Sequence, residues 1–116
     1  MHEMAVVTEL ADAVIEAARG AGAARIKAVY LTIGQGRDVV PEIFEGMWEH
    51  YTKGTLAEGA VLQIECRPYL VRCSLCGFLY HLDPFDPSTH GCPSCSGQDY
   101  RLYSGMEFSI DRVEIV

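Results

Sequence analysis

Four of the five cysteines in this 116-residue chain stand in a pattern that binds metal. Cys73 and Cys76 form one Cys-x-x-Cys knuckle, Cys92 and Cys95 form another, and fifteen residues separate the two. A short turn lets both thiolates of a knuckle point at a common centre, and Gly77 supplies the permissive backbone that such a turn needs. The second knuckle closes a tetrahedron, and the spacing is the signature of a four-cysteine zinc site. Four thiolates leave no open coordination position. A zinc ion held this way is structural rather than a Lewis acid, and in small zinc peptides it contributes folding free energy on the order of 10 kcal/mol.

Tetrahedral thiolate ligation also suits iron. The segments Cys73-Ser74-Leu75-Cys76-Gly77 and Cys92-Pro93-Ser94-Cys95 resemble the knuckles of rubredoxin and rubrerythrin, which makes a rubredoxin-like electron-transfer iron centre the second reading. Cys66 is left over, and its place in an alternating strand reads as a small hydrophobe on the buried face. His81 and His90 flank the knuckles. They are candidates for second-shell donors or alternative ligands, with solvent-facing loop histidines as the competing reading. His50 falls on a helix and reads as structural or solvated.

A second kind of chemistry lies at the start, Met1-His2-Glu3. A free terminal amine, the deprotonated amide nitrogen of residue two and the His2 imidazole can chelate one metal with three nitrogens in a plane. Tetragonal nitrogen ligation favours Ni(II) or Cu(II), so the chain would carry two chemically distinct metal sites. The bulk of His2 should keep Met1 from being trimmed. The amine titrates near 7.7 to 8.0, so metal competes with a proton around neutrality. A cation at a helix start opposes the helix dipole by roughly 0.3 to 1 kcal/mol, and Glu3 offsets it.

Composition bounds these readings. The hydrophobic content of 49% and charged content of 22% fit one globular domain with a modest core. A net charge of −7, with nine scattered Lys and Arg residues, argues against nucleic acid as a partner. No apolar run approaches the ~18 to 20 residues that span a bilayer, and no leader pattern opens the chain. A cytoplasmic protein is expected, and an odd number of cysteines in a reducing compartment points to metal rather than disulfides.

The elements that must position these residues follow from periodicity. Val7, Leu10, Val14 and Ala18 recur at helical spacing from Glu3 until Arg19-Gly20. Ile26 to Ile33 is dense in β-branched and aromatic residues and reads as a strand. Pro41 opens a second helix, whose stripe of Ile43, Phe44, Met47, Trp48 and Tyr51 ends at Lys53-Gly54. Leu62, Ile64 and Cys66 alternate with polar residues along a second strand. Residues 69 to about 103 lose this periodicity. Met106, Phe108 and Ile110 then alternate in a third strand, and Val113 and Ile115 continue one residue out of phase, which a bulge near Asp111 or Arg112 would reconcile. The fold class expected is α+β: a three-stranded mixed sheet with two helices, plus an inserted four-cysteine, zinc-ribbon-like module. The first two strands should be parallel across a right-handed helical crossover, and the second and third are expected to pair as a long antiparallel hairpin.

The start Met1-His2-Glu3-Met4 with Val6-Val7, the βαβ unit and the inserted four-cysteine module together resemble the HypA/HybF family of hydrogenase-maturation nickel metallochaperones, over essentially the whole chain. The resemblance implies transient Ni(II) cargo on the Met1 amine and His2, supported by Glu3, and a structural Zn(II) on Cys73, Cys76, Cys92 and Cys95. It implies delivery of nickel to the large subunit of [NiFe]-hydrogenase together with a nickel-handling GTPase, HypB, and in some members service to urease maturation proteins. It divides the chain into a nickel-binding α/β domain, residues 1–68 and 105–116, and a zinc module, residues 69–104. Some members carry a longer loop with a further histidine that reaches the nickel, and here only His81 and His90 stand near that place. The chain has no phosphate loop and no Ser-His or Cys-His pair at catalytic spacing, so no enzymatic activity is expected.

Overall fold

A computed structural model of the chain describes residues 3–116. The elements in order are α1 (Glu3–Gly20), β1 (Ile26–Gly34), α2 (Pro41–Tyr51), β2 (Val61–Arg67), β3 (Leu70–Cys73), β4 (Leu79–His81), β5 (Tyr100–Ser104) and β6 (Phe108–Ile115). They form two compact units, one running up to Thr32 and adding Val39–Glu65 and Ser109–Val116, the other made of Ile33–Asp38 and Cys66–Phe108. Among the described residues no helix is long and apolar enough to cross a membrane.

In the first unit α1 buries Val7, Leu10, Ala11, Val14, Ile15 and Ala18, one face of a 3.6-residue period. The helix ends at Gly20, as expected, and Gly22 caps it. Gly22 takes φ +73° and donates its N–H to Arg19, while Ala23 donates to Ala18, the paired bonds of a Schellman cap. Helix α2 starts on Pro41 at its first turn and buries Phe44 and Trp48, one turn apart, whereas Ile43 and Tyr51 stay exposed. The two helices pack together, and the Tyr51 hydroxyl donates to the Asp12 carboxylate across them at 2.9 Å.

The three-stranded mixed sheet has the order β2-β1-β6. The two flanking strands therefore do not form the hairpin expected of them. β1 lies between them because it alone is buried on both faces, with Ile26, Ala28, Val29, Leu31, Thr32 and Ile33 all sealed from solvent, while β2 and β6 carry the alternation of half-exposed edge strands. Edge position also explains Cys66. It is exposed rather than buried, because beyond Leu62 and Ile64 the strand has no cover. In β6, consecutive residues meet one face of β1: the Thr32 hydroxyl donates to Asp111, the Arg112 guanidinium lies 4.1 Å from the centre of the Tyr30 ring, and Tyr30 donates to Glu114.

The second unit has its own antiparallel sheet, β4-β3-β5, with Val71 opposite Tyr80 on one side and Leu102 on the other. A small core of Val71, Cys73, Tyr80, Leu82 and Cys92, with Tyr69 packed on it, holds this sheet together. The Ile33–Asp38 segment belongs here because the N–H groups of Gly34 and Gly36 donate to the carbonyls of Glu107 and Gly105. Side chains are excluded where the backbones pass: a Cβ on Gly34 would lie 2.1 Å from the Gly105 carbonyl.

Candidate metal centre

The two knuckles are built alike. In the first, Gly77 donates its N–H to the Cys73 carbonyl at 2.9 Å, and Cys73 donates to Phe78 at 2.9 Å. In the second, Ser96 donates to Cys92 at 2.8 Å, and Cys92 donates to Gly97 at 2.9 Å. The same offsets recur, so each knuckle is one tight turn closed fore and aft by backbone bonds. The residue four places after the leading cysteine takes a left-handed conformation in both, φ +79° at Gly77 and φ +63° at Ser96. The glycine adopts this freely, whereas the serine carries a cost of roughly 1 to 2 kcal/mol.

Strand β3 delivers Cys73 at its end, and the first turn delivers Cys76. The second knuckle brings Cys92 into the small core and leaves Cys95 outside it. All four Sγ atoms lie within 4.8 Å of one another. The Cys73–Cys95 and Cys76–Cys92 pairs are 3.6 Å apart. An ion bound at ~2.3 Å from each of four sulfurs sets a tetrahedron edge of about 3.8 Å, so the cluster fits a metal such as zinc with almost no movement. Cys73 and Cys92 are buried, and Cys76 and Cys95 face solvent.

The thiols respond to this crowding in opposite directions. The Cys76 backbone N–H, more than any other group, draws the Cys73 thiol down to about 7, helped by the Leu75 N–H and against the effect of burial. At Cys95 the Gly97 N–H pulls downward too, but the hydrogen bonds to Cys73 and Cys76, together with burial, push the thiol up to about 12. Crowding of like-charging thiols drives the proton affinities of neighbours apart in this way. Beneath it the Tyr80 hydroxyl donates to the His90 carbonyl at 3.0 Å, and burial first, then the electrostatic influence of the cysteine cluster, raise that phenol above its usual range.

The remaining candidate residues sit apart. Among the described residues the metal-ligating cluster holds the four cysteines and neither histidine. The ring Nε2 of His90 contacts the Asp83 carbonyl oxygen at 2.9 Å, inside a loop that Asp86 and Thr89 also brace, and His81 is exposed on β4. Glu3 opens α1 in its first turn, half-buried. Met1 and His2, on which the nickel expectation rests, lie outside the described residues. Three contributors went unseen in the sequence: Ser96, Gly97 and the Tyr80–Leu82 core. The repeated offset from Cys73 to Gly77-Phe78 and from Cys92 to Ser96-Gly97 was the available signal for the first two.

With this geometry, comparison with known proteins is decisive. The model of the HypA family, described as hydrogenase/urease nickel incorporation metallochaperone, matches residues 1–115. The chain belongs to the HypA family. Hydrogenase maturation factors HypA are similar to it throughout: that of Dehalococcoides mccartyi (strain CBDB1) is 32% identical over 99% of this chain and 94% of its own length. That of Geobacter sulfurreducens is 36% identical over 99% of both, and that of Moorella thermoacetica 38% over 98% of both. The fold is shared with the solution structure of the Ni metallochaperone HypA from Helicobacter pylori, with a TM-score of 0.66 at 22% identity over 100% of this chain and 98% of that one. The HypA family is one of nickel-handling maturation factors rather than of catalytic enzymes, and the four-cysteine module is its metal-binding part here.

Proposed function

We propose that this protein binds Ni(II) at its N-terminus and delivers it for assembly of the [NiFe]-hydrogenase active site, with Zn(II) resident on Cys73, Cys76, Cys92 and Cys95. The observation that carries the reading is the match of the nickel-incorporation family over residues 1–115, which takes in both the start and the sulfur cluster. The chemistry supports it. An amine, an amide nitrogen and the His2 imidazole offer a planar nitrogen set that suits Ni(II), while the cysteines offer a closed soft tetrahedron that holds zinc. The fourth in-plane position is left for an incoming ligand, as release of cargo requires. Glu3 in the first turn of α1 balances the positive charge of the loaded end.

The recipient in this proposal is the hydrogenase large subunit, with a GTPase of the HypB kind supplying nucleotide hydrolysis in the cytoplasm and urease maturation proteins as further clients. No catalytic step is assigned to the chain itself. His81 and His90 take the role of outer neighbours of the zinc module rather than of nickel ligands.

Calorimetry with Ni(II) on zinc-loaded native protein and on His2→Ala tests the assignment. Native protein should take up one nickel and His2→Ala should lose it; equal binding by both removes the N-terminal site. The four-thiolate geometry serves iron as well, so the rubredoxin-like reading is separated by colour. A colourless protein with one zinc per chain excludes it, because zinc is a closed-shell ion without charge-transfer bands in the visible.

A further inference from the structure

The sulfur cluster is lidded on one edge by a single side chain. Gly97 sits against the Cys73–Cys95 edge: a Cβ placed there would lie 3.2 Å from the Cys95 sulfur, 3.5 Å from the Cys73 sulfur and 2.7 Å from Cδ1 of Leu75. Leu75, from the middle of the first knuckle, therefore lies over the residue that follows the second knuckle, and it bridges the two where the sulfurs meet. Leu75 as a whole is 69% exposed. Elsewhere on the cluster Cys76 also faces solvent. Cys73 and Cys92 are sealed into the Val71–Tyr80–Leu82 core, and the backbone bonds from Gly77 and Ser96 lock each turn.

We propose that Leu75 and Gly97 form a latch that controls ligand exchange at the cluster, so that a competing chelator reaches the metal through the Cys73–Cys95 edge when Leu75 swings out. Cys95 is the exposed member of that edge and hence the first thiolate to be displaced. A nitrogen or oxygen donor of the chelator takes its coordination position, and the freed thiolate takes up a proton from water. The lack of a side chain at Gly97 is what lets the leucine seat.

The inference rests on the zinc reading, and the test separates the two. Zinc-loaded wild type, Leu75→Ala and Phe85→Ala are mixed with excess 4-(2-pyridylazo)resorcinol, and zinc transfer is followed by absorbance. Phe85 is 74% exposed in a loop of the same unit and serves as the control for losing an exposed apolar group. Leu75→Ala should transfer zinc roughly fivefold faster, the effect of removing one partly buried aliphatic lid, with Phe85→Ala at the wild-type rate. Alkylation of the loaded protein by iodoacetamide should accelerate in parallel, with Cys95 modified first in a peptide map. Equal rates for wild type and Leu75→Ala, or equal acceleration in the control, overturn the latch. A wild type that purifies without zinc and binds none overturns the zinc reading instead. Far-ultraviolet circular dichroism of the loaded variants confirms that the comparison is between folded proteins.

Discussion

Ser96 and Gly77 occupy equivalent places in two equivalent turns, yet only one of them is a glycine. Relieving the left-handed strain should show directly. Ser96→Gly should raise the stability of the metal-loaded protein by about 1 kcal/mol, and Gly77→Ala should lower it by about as much, measured by chemical denaturation. Nothing crowds a Cβ at Gly77, so its cost is conformational alone, whereas Gly97→Ala pushes on two sulfurs and Leu75 and should cost about 1 to 3 kcal/mol through the cluster itself. The thiols add a pH dependence. Metal uptake displaces the protons that the thiols retain, above all that of Cys95, whose thiol is pushed up while that of Cys73 is drawn down. Affinity therefore weakens as pH falls, and calorimetry in two buffers of different ionisation enthalpy measures the protons released. The four ligands were legible from spacing alone, since Cys-x-x-Cys geometry is local. Burial was not: Cys66 looks like a core residue in an alternating strand, and only its position at an uncovered edge shows otherwise.

At the scale of elements, the contact between α1 and α2 carries a titratable tie. The hydrogen bond to Asp12, then burial and the carboxylate's charge, raise the Tyr51 phenol above its ordinary value of 10. A raised acid keeps its proton longer in the folded state, so the bond contributes stability below pH 10 that is lost as pH rises through the folded value. Urea denaturation between pH 9 and 11 should show a decline in native protein that is shallower in Tyr51→Phe. Strand β1 is tested at its far end. Gly34→Ala forces a Cβ into the Gly105 carbonyl and should cost about 3 kcal/mol or more, seen as a lower denaturation midpoint. Both helices and the long strands β1, β2 and β6 follow from periodicity, because each spans enough residues to repeat. The strand order was written there too, in the unbroken apolar run of β1 against the alternation of β2 and β6, although proximity in sequence had favoured a hairpin. The helix stop at Gly20 was legible too, whereas the capping role of Gly22 turns on which glycine takes a positive φ, which composition does not reveal.

For the whole molecule, the division into two units separates two kinds of stability. The first unit has a core of Val7, Val14, Val29, Leu31, Phe44 and Trp48, large enough to stand on apolar burial. The second has a core cluster of five buried residues, two of them cysteines, and strands of three to five residues whose pattern is too short to read from sequence. So small a core leaves its fold in need of an ion to join the knuckles. Removing the metal with a chelator should therefore lose the ordered amide signals of residues 66–108 while those of the helices persist, as followed by nuclear magnetic resonance. In the function proposed, the ion of the sulfur cluster is scaffold and the cargo chemistry falls to the start of the chain. The central claim is that the terminal amine itself is a nickel ligand, and adding one residue before Met1 tests it most directly. Calorimetry with Ni(II) on zinc-loaded native protein should show one site, and the extended protein, with His2 intact but the amine displaced, should show none. Undiminished binding by the extended protein would contradict the account.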